Sequence, residues 1–171
     1  MAILNQPIRE GIIVHLSHDE VQVCQIMGRM RSLVARGNGV KDAKMGNQNG
    51  AEADVMGVTA EFAFAKHFNV FPDFGLSPRS GSADGMLHGI PYDIKSSEYQ
   101  NARLLSTTKV NPDVDFYALC VVRSPIVEIK GWAWKKELIQ ETNKINLGHG
   151  DGYAIEQTKL RNFENELPHE R

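Results

Sequence analysis

Four side chains whose types and spacing could do chemistry stand in the middle of the chain: Glu61, Asp84, Asp93 and Lys95. Two β-rich runs, near 83–87 and 91–95, are separated by His88 and Gly89. A two-residue turn there pairs Leu87 with Ile90, and counting back sets Asp84 opposite Asp93. Directly opposed residues bring their Cβ atoms about 4.5–5.5 Å apart, where like charges destabilise a sheet, so something positive belongs between the two acids. Strand alternation sends Asp93 and Lys95 to one face and Ile94 to the other, into the core. Pro91 lacks a ladder donor, which suits a strand start or an edge; a longer turn would shift the register but not the shared face of Asp93 and Lys95. Two carboxylates and the Ile94 backbone carbonyl form an oxygen-rich donor set of the kind Mg²⁺ prefers, with an ammonium beside it.

Glu61 belongs to a second segment. Val58, Phe62, Ala65 and Phe68 recur at helical offsets, and Glu61 lies on the same face. A carboxylate in an apolar stripe is costly to bury without a partner, although a residue at the edge of the stripe can reach solvent. Glu52 and Asp54, near the helix start, are expected to serve the cap.

An acidic residue on a helix, then an Asp, then Asp-x-Lys on the neighbouring strand resembles the signature of the PD-(D/E)xK phosphodiesterases, the restriction-endonuclease-like fold. The matching residues are Glu61, Asp84 and Asp93-Ile94-Lys95, and the resemblance spans roughly residues 52–123. Ala83 stands where the family name has Pro, a position without a chemical role. The resemblance implies an α/β fold with a restriction-endonuclease-like core, a central mixed β-sheet flanked by helices. It also implies a metal-dependent nuclease that hydrolyses phosphodiester bonds in nucleic acid, DNA ahead of RNA. Asp84 and Asp93, with the Ile94 carbonyl, would hold Mg²⁺, for which Mn²⁺ would substitute. Glu61 would be an outer ligand or the anchor of a second ion, and Lys95 would orient or help deprotonate the attacking water. The size resembles that of phage or bacterial accessory nucleases, some of which act as homodimers. The alternative is a catalytically silent nuclease-fold module that binds DNA or blocks a protein partner.

Two further acid-x-Lys triplets compete. Asp42-Ala43-Lys44 falls in a glycine-rich stretch where strand alternation cannot align it. Glu128-Ile129-Lys130 falls on a strand, but counting around Ser124-Pro125 places Val121, not a second acid, opposite Glu128. It reads as an alternating surface strand.

The elements that must position these residues follow from periodicity and punctuation. A short strand is expected over 10–16, then a helix opened by the Ser17/Glu20 capping box and closed at Gly37. Its core-facing stripe reads as Val23, Ile26, Met27, Met30, Leu33 and Val34. Residues 37–50 read as a loop, 52–68 as the second helix, and 115–123 with 126–134 as a hairpin. Short helices are expected near 134–141 and 158–167, the latter capped by Thr158, with a turn at Asp151-Gly152 before a last strand. Helices, then strands, then helices make a mixed α/β domain. We read residues 1–171 as one domain: an N-terminal strand–helix extension to about 50, a catalytic core over about 51–135, and C-terminal helices and strand beyond.

Bulk properties narrow the partners. At 171 residues with 42% hydrophobic content the chain can bury one core. It has no run of the about 18–20 apolar residues that a membrane span needs, and its start lacks a signal-peptide pattern, so a cytoplasmic location is expected. Cys24 and Cys120, far apart among apolar neighbours, read as reduced core residues. The net charge of −2 leaves nucleic-acid binding to a local basic stretch: Arg29, Arg31, Arg36, Lys41 and Lys44. Gln100 and Arg103, beyond the Asp-x-Lys strand, are further candidates to grip phosphate. The six histidines form no metal pattern, and Trp132 and Trp134 read as core, with base stacking as their second option.

Overall fold

The structure, a computed structural model, describes residues 8–39, 49–76 and 82–169. Strand β1 (Ile12–His15) leads into helix α1 (His18–Gly37) through the expected capping box. Ser17 Oγ accepts the Glu20 N–H at 3.2 Å, and Glu20 Oε2 accepts the Ser17 N–H at 2.7 Å. Helix α2 (Gly50–Phe68) opens with a second box, Asn49 with Glu52, and ends at Asn69 in the left-handed region. Glu52 caps as expected, whereas Asp54 instead approaches Arg36 at 3.7 Å.

The face of α1 that is buried differs from the expected stripe. Val23, Ile26, Met30 and Leu33 are exposed, while Cys24, Gly28 and Ser32 are buried and Met27 packs at the margin. Small residues win because α2 comes very close: a Cβ on Gly28 would lie 2.4 Å from the Val55 Cα. Interhelical distance here is set by the absence of side chains, a quantity that a scale of hydrophobicity does not carry.

Strands β2 (Gly85–Leu87), β3 (Ile90–Ser97), β5 (Phe116–Arg123) and β6 (Ile126–Trp134) join β1 in a mixed sheet of order β1-β6-β5-β3-β2. Strands β3 and β5 run parallel, and the other neighbours are antiparallel. The segment between β3 and β5 is therefore a crossover, which antiparallel hairpins do not need. The N-terminal strand is part of this sheet, at its edge beside β6.

One face of the sheet packs on the two long helices through Ile90, Tyr92, Ile94, Phe116, Cys120 and Trp132 around Phe64. The other face was not expected to be covered by strands. There β4 (Leu104–Thr107), β8 (Asp151–Ile155) and β7 (Lys144–Asn146) form a small sheet that buries Leu104 and Ile155 against Tyr117, Leu119 and Ala133. The short helix α3 (Lys135–Leu138) falls within the expected 134–141 segment. Residues 158–167 are not a helix. A 3₁₀ turn at Gln157–Lys159 is followed by Arg161, which exchanges backbone hydrogen bonds with Trp132. This segment must place Leu160 in one core and Phe163 in the other, and an extended path reaches both. Asp151 and Gly152 begin β8 rather than turning before it.

Cys24 and Cys120 are free and buried; burial pushes the Cys24 thiol up to about 11 and raises that of Cys120 further. Trp132 and Trp134 meet edge to face at 5.0 Å inside the helix-side core, which leaves Trp132 no exposed face for a base. Among the described residues no helix is long and apolar enough to cross a membrane.

Candidate active site

The β2–β3 hairpin has the register read from the sequence over three pairs, Leu87 opposite Ile90, Met86 opposite Pro91 and Gly85 opposite Tyr92, but the expected pair of Asp84 with Asp93 lies outside the ladder. His88 and Gly89 both have positive φ, 52° and 80°, as a two-residue turn matched to strand twist requires. Gly85 is needed for space, since a Cβ there would lie 2.4 Å from the Tyr92 hydroxyl. Beyond Gly85 the ladder ends with Asp84. Its N–H donates to the Tyr92 carbonyl at 2.8 Å, and its side-chain Oδ2 accepts the Ile94 N–H at 2.7 Å. The Asp84 carboxylate thus takes the place of a backbone acceptor where β2 stops.

Alternation along β3 places Asp93 and Lys95 together on the small-sheet side. Lys95 Nζ lies 2.7 Å from Asp93 Oδ1 and 5.6 Å from the centre of the Tyr117 ring. Tyr117 is opposite Asp93 in the parallel register, so its ring forms the floor under the ammonium. Glu61 stands on α2, and its charge acts on Asp84. Its Oε2 accepts a hydrogen bond from Arg31 Nη1 at 2.8 Å, so it is neither a bare stripe residue nor a solvent-directed one.

Electrostatics tie the four together. Burial pushes the Asp84 carboxyl well above the usual range, and the charges of Glu61 and then Asp93 push it the same way, against the Ile94 N–H and Lys95. Burial would lower the Lys95 ammonium, but Asp93 and Asp84 outweigh it and hold the group charged. The Tyr92 phenol is raised by burial and then by Asp84, Glu61 and Asp73. A concentrated negative field with one lysine is therefore built at the end of β2.

The donor chemistry fits a hard divalent cation. Asp84 and Asp93 offer carboxylate oxygens from adjacent strands. The N–H groups and carbonyls of even-numbered residues on β3 face β2, as the Tyr92 and Ile94 bonds show, so the Ile94 carbonyl points the same way, past the end of that strand. Among the described residues no three His, Cys, Asp or Glu side chains converge as ready metal ligands. Glu61 and Asp93 are turned instead toward Arg31 and Lys95.

The other candidates scatter. Arg29 is exposed and lines a cleft of about 460 Å³ with Asn49, Glu52 and Glu98. Arg36 lies beside Asp54. Lys41 and Lys44 fall outside the described residues. Arg31 spends its guanidinium on Glu61 and on the carbonyls of Gly75 and Asp73. Gln100 donates to Glu128, and Arg103 is half-buried just before β4. Two concavities, of about 330 and 460 Å³, contain none of the four central residues, so chemistry and not depth marks this site.

The rival Glu128–Lys130 pair is buried, contrary to the surface-strand reading. Lys130 is fully buried, 2.6 Å from Glu128 and 2.7 Å from the Arg9 carbonyl, while Glu128 also accepts from Gly11 and Gln100. A bulge between Leu119 and Cys120 turns this lysine inward. Sequence reasoning missed Tyr117 as the floor under Lys95, since a tyrosine in an apolar strand looks like core. It read Arg31 as a phosphate contact because a helix pattern does not say which basic residue faces an acid. Compared with known proteins, the chain matches no protein-family model, no curated protein and no solved structure.

Proposed function

We propose that the protein is a metal-dependent nuclease that hydrolyses phosphodiester bonds, with DNA as its substrate class, and that it resembles the PD-(D/E)xK phosphodiesterases in chemistry and core architecture. The observation that carries this reading is the placement of Asp84, Asp93 and Lys95 on one hairpin, with Glu61 close enough for its charge to act on Asp84. A module without chemistry gains nothing from gathering carboxylates whose charges act against one another.

Mg²⁺, or Mn²⁺ in its place, would be held by Asp84, Asp93 and the Ile94 carbonyl, and when bound would supply charge neutralisation and an acidified water. The chain's own contribution is positional. Lys95, kept charged over Tyr117, stabilises negative charge that develops on the phosphate oxygens and orients the attacking water. Arg31 fixes the Glu61 carboxylate against α1, so that its charge stays directed at the set.

One observation favours a second reading. Glu61 and Asp93 already have cationic partners, as they would in a catalytically silent module that binds DNA or a protein. Cleavage assays separate the two. The wild type is expected to cut DNA with Mg²⁺ or Mn²⁺ and not with chelator. Asp93→Ala and Lys95→Ala are expected to lose at least about a hundredfold in rate while remaining folded. A folded Lys95→Ala protein that cuts at the wild-type rate would sink the assignment of the chemistry to this site, and binding without cutting in the wild type would install the silent reading.

A further inference from the structure

The loop that follows α2 is fastened to the candidate site. Arg31 donates from Nη1 to Glu61 at 2.8 Å, from Nε to the Gly75 carbonyl at 3.0 Å and from its remaining nitrogen to the Asp73 carbonyl. One guanidinium therefore grips a central carboxylate and two loop carbonyls at once. The loop also braces itself, Gly75 N–H to Asp73 Oδ1 at 2.6 Å. Aromatic rings continue the connection. Phe62, the neighbour of Glu61, packs with Phe74 at 6.1 Å, and Phe74 meets Phe71 edge to face at 6.0 Å. The chain of contacts ends on Phe71, which is 87% exposed.

Single exposed apolar residues are common and need no explanation. Phe71 differs because the structure holds its loop at a fixed place relative to Glu61, through an ion pair that could have been made without a loop. A solvent-facing ring on a loop tied to Glu61 matches a stacking platform for an unpaired base, since every base offers a π face. Of the two tryptophans that the sequence offers for that task, Trp132 is buried in the core and Trp134 packs against it, partly buried.

We infer that Phe71 stacks on an unpaired base of the substrate strand, so that the site takes single-stranded or end-frayed DNA in preference to duplex interior. The inference rests on the nuclease reading and names its substrate class. Arg31 is then a positioning residue: it sets the spacing between the stacked base and the carboxylates.

The experiment compares the full-length wild type with Phe71→Ala, Phe71→Leu and Phe71→Trp. Affinity for a fluorescein-labelled single-stranded oligonucleotide and for a blunt duplex is read by anisotropy in chelator, and cutting of both is read in Mg²⁺. Because the ring is exposed, the variants should fold, which circular dichroism checks. The inference expects single-strand binding to weaken roughly 5- to 100-fold in Phe71→Ala and in Phe71→Leu, with little change for duplex. Phe71→Trp should bind like wild type, its indole emission quenched by the oligonucleotide. Wild-type cutting together with unchanged single-strand binding by Phe71→Ala overturns the inference and leaves the nuclease reading standing. Full recovery by Phe71→Leu overturns it too, since apolar contact would then suffice. A wild type that neither binds nor cuts overturns the nuclease reading, and the stacking role with it.

Discussion

Asp84 holds the greatest tension of any residue in the set. Its carboxyl is raised by burial and by the facing charges of Glu61 and Asp93, so the folded protein binds that proton more tightly than the unfolded chain does. The sign follows from linkage. Stability is gained below the usual carboxylate range and is lost as pH rises through the raised value. The metal-free protein therefore loses stability as the Asp84 carboxyl ionises, a cost that a bound cation would offset. Asp84→Asn keeps an oxygen for the Ile94 N–H and removes the charge. In chelator it should become more stable than wild type by about 1 kcal/mol in urea denaturation once pH has risen through the raised Asp84 value, while cleavage is lost. The gap should narrow as pH falls and the wild-type carboxyl protonates. A variant less stable than wild type at every pH would show that the Asp84 charge is satisfied by the fold itself.

At the scale of elements, the two acid-x-Lys strands have opposite fates. On β3, regular alternation leaves Asp93 and Lys95 partly exposed beside a second acid. On β6, the bulge opposite Leu119 and Cys120 drives Lys130 inside, where Glu128 and the Arg9 carbonyl take its charge. A buried ion pair stripped of one partner leaves an unpaired charge, so Lys130→Met should cost about 3–5 kcal/mol in denaturant unfolding. Its folded fraction should still cut. Preserved stability with abolished cutting would move the chemistry from β3 to β6. The β2–β3 register was readable because turn chemistry at His88 and Gly89 and alternation on β3 are local rules, satisfied within a few residues. The capping box of α1 and the β5–β6 hairpin were readable for the same reason. What escaped depended on distant partners. The exposed stripe of α1 and its buried small residues are decided by how closely α2 approaches at Gly28. Strands β4, β7 and β8 are three to five residues long, too short for a period to emerge, and the path through Leu160 and Phe163 answers to two cores at once.

For the whole molecule, the proposed nuclease function raises the question of how a chain of net charge −2, with three carboxylates gathered at the site, approaches a polyanion. Non-specific attraction depends on phosphates neutralised by lysine and arginine, each of which steepens the salt dependence. The basic stretch read from the sequence divides in the structure. Arg31 is spent on Glu61 and the 73–75 carbonyls, and Arg36 lies beside Asp54, whereas Arg29 faces the open cleft. On the proposed function, Arg29 is therefore the member of the described stretch that would meet phosphate. Arg29→Glu should weaken DNA binding in low salt and flatten the plot of log affinity against log salt by about 0.7–0.9 per phosphate that is no longer neutralised. Thermal stability should hardly change, because the side chain is at the surface. Arg31→Gln should behave differently, lowering stability and cleavage with less effect on the salt slope, since the substitution removes the brace on Glu61. Equal salt slopes for wild type and Arg29→Glu would place the phosphate track elsewhere on the surface. Equal flattening of the slope in the two variants would mean that Arg31 leaves Glu61 for the phosphate when DNA binds.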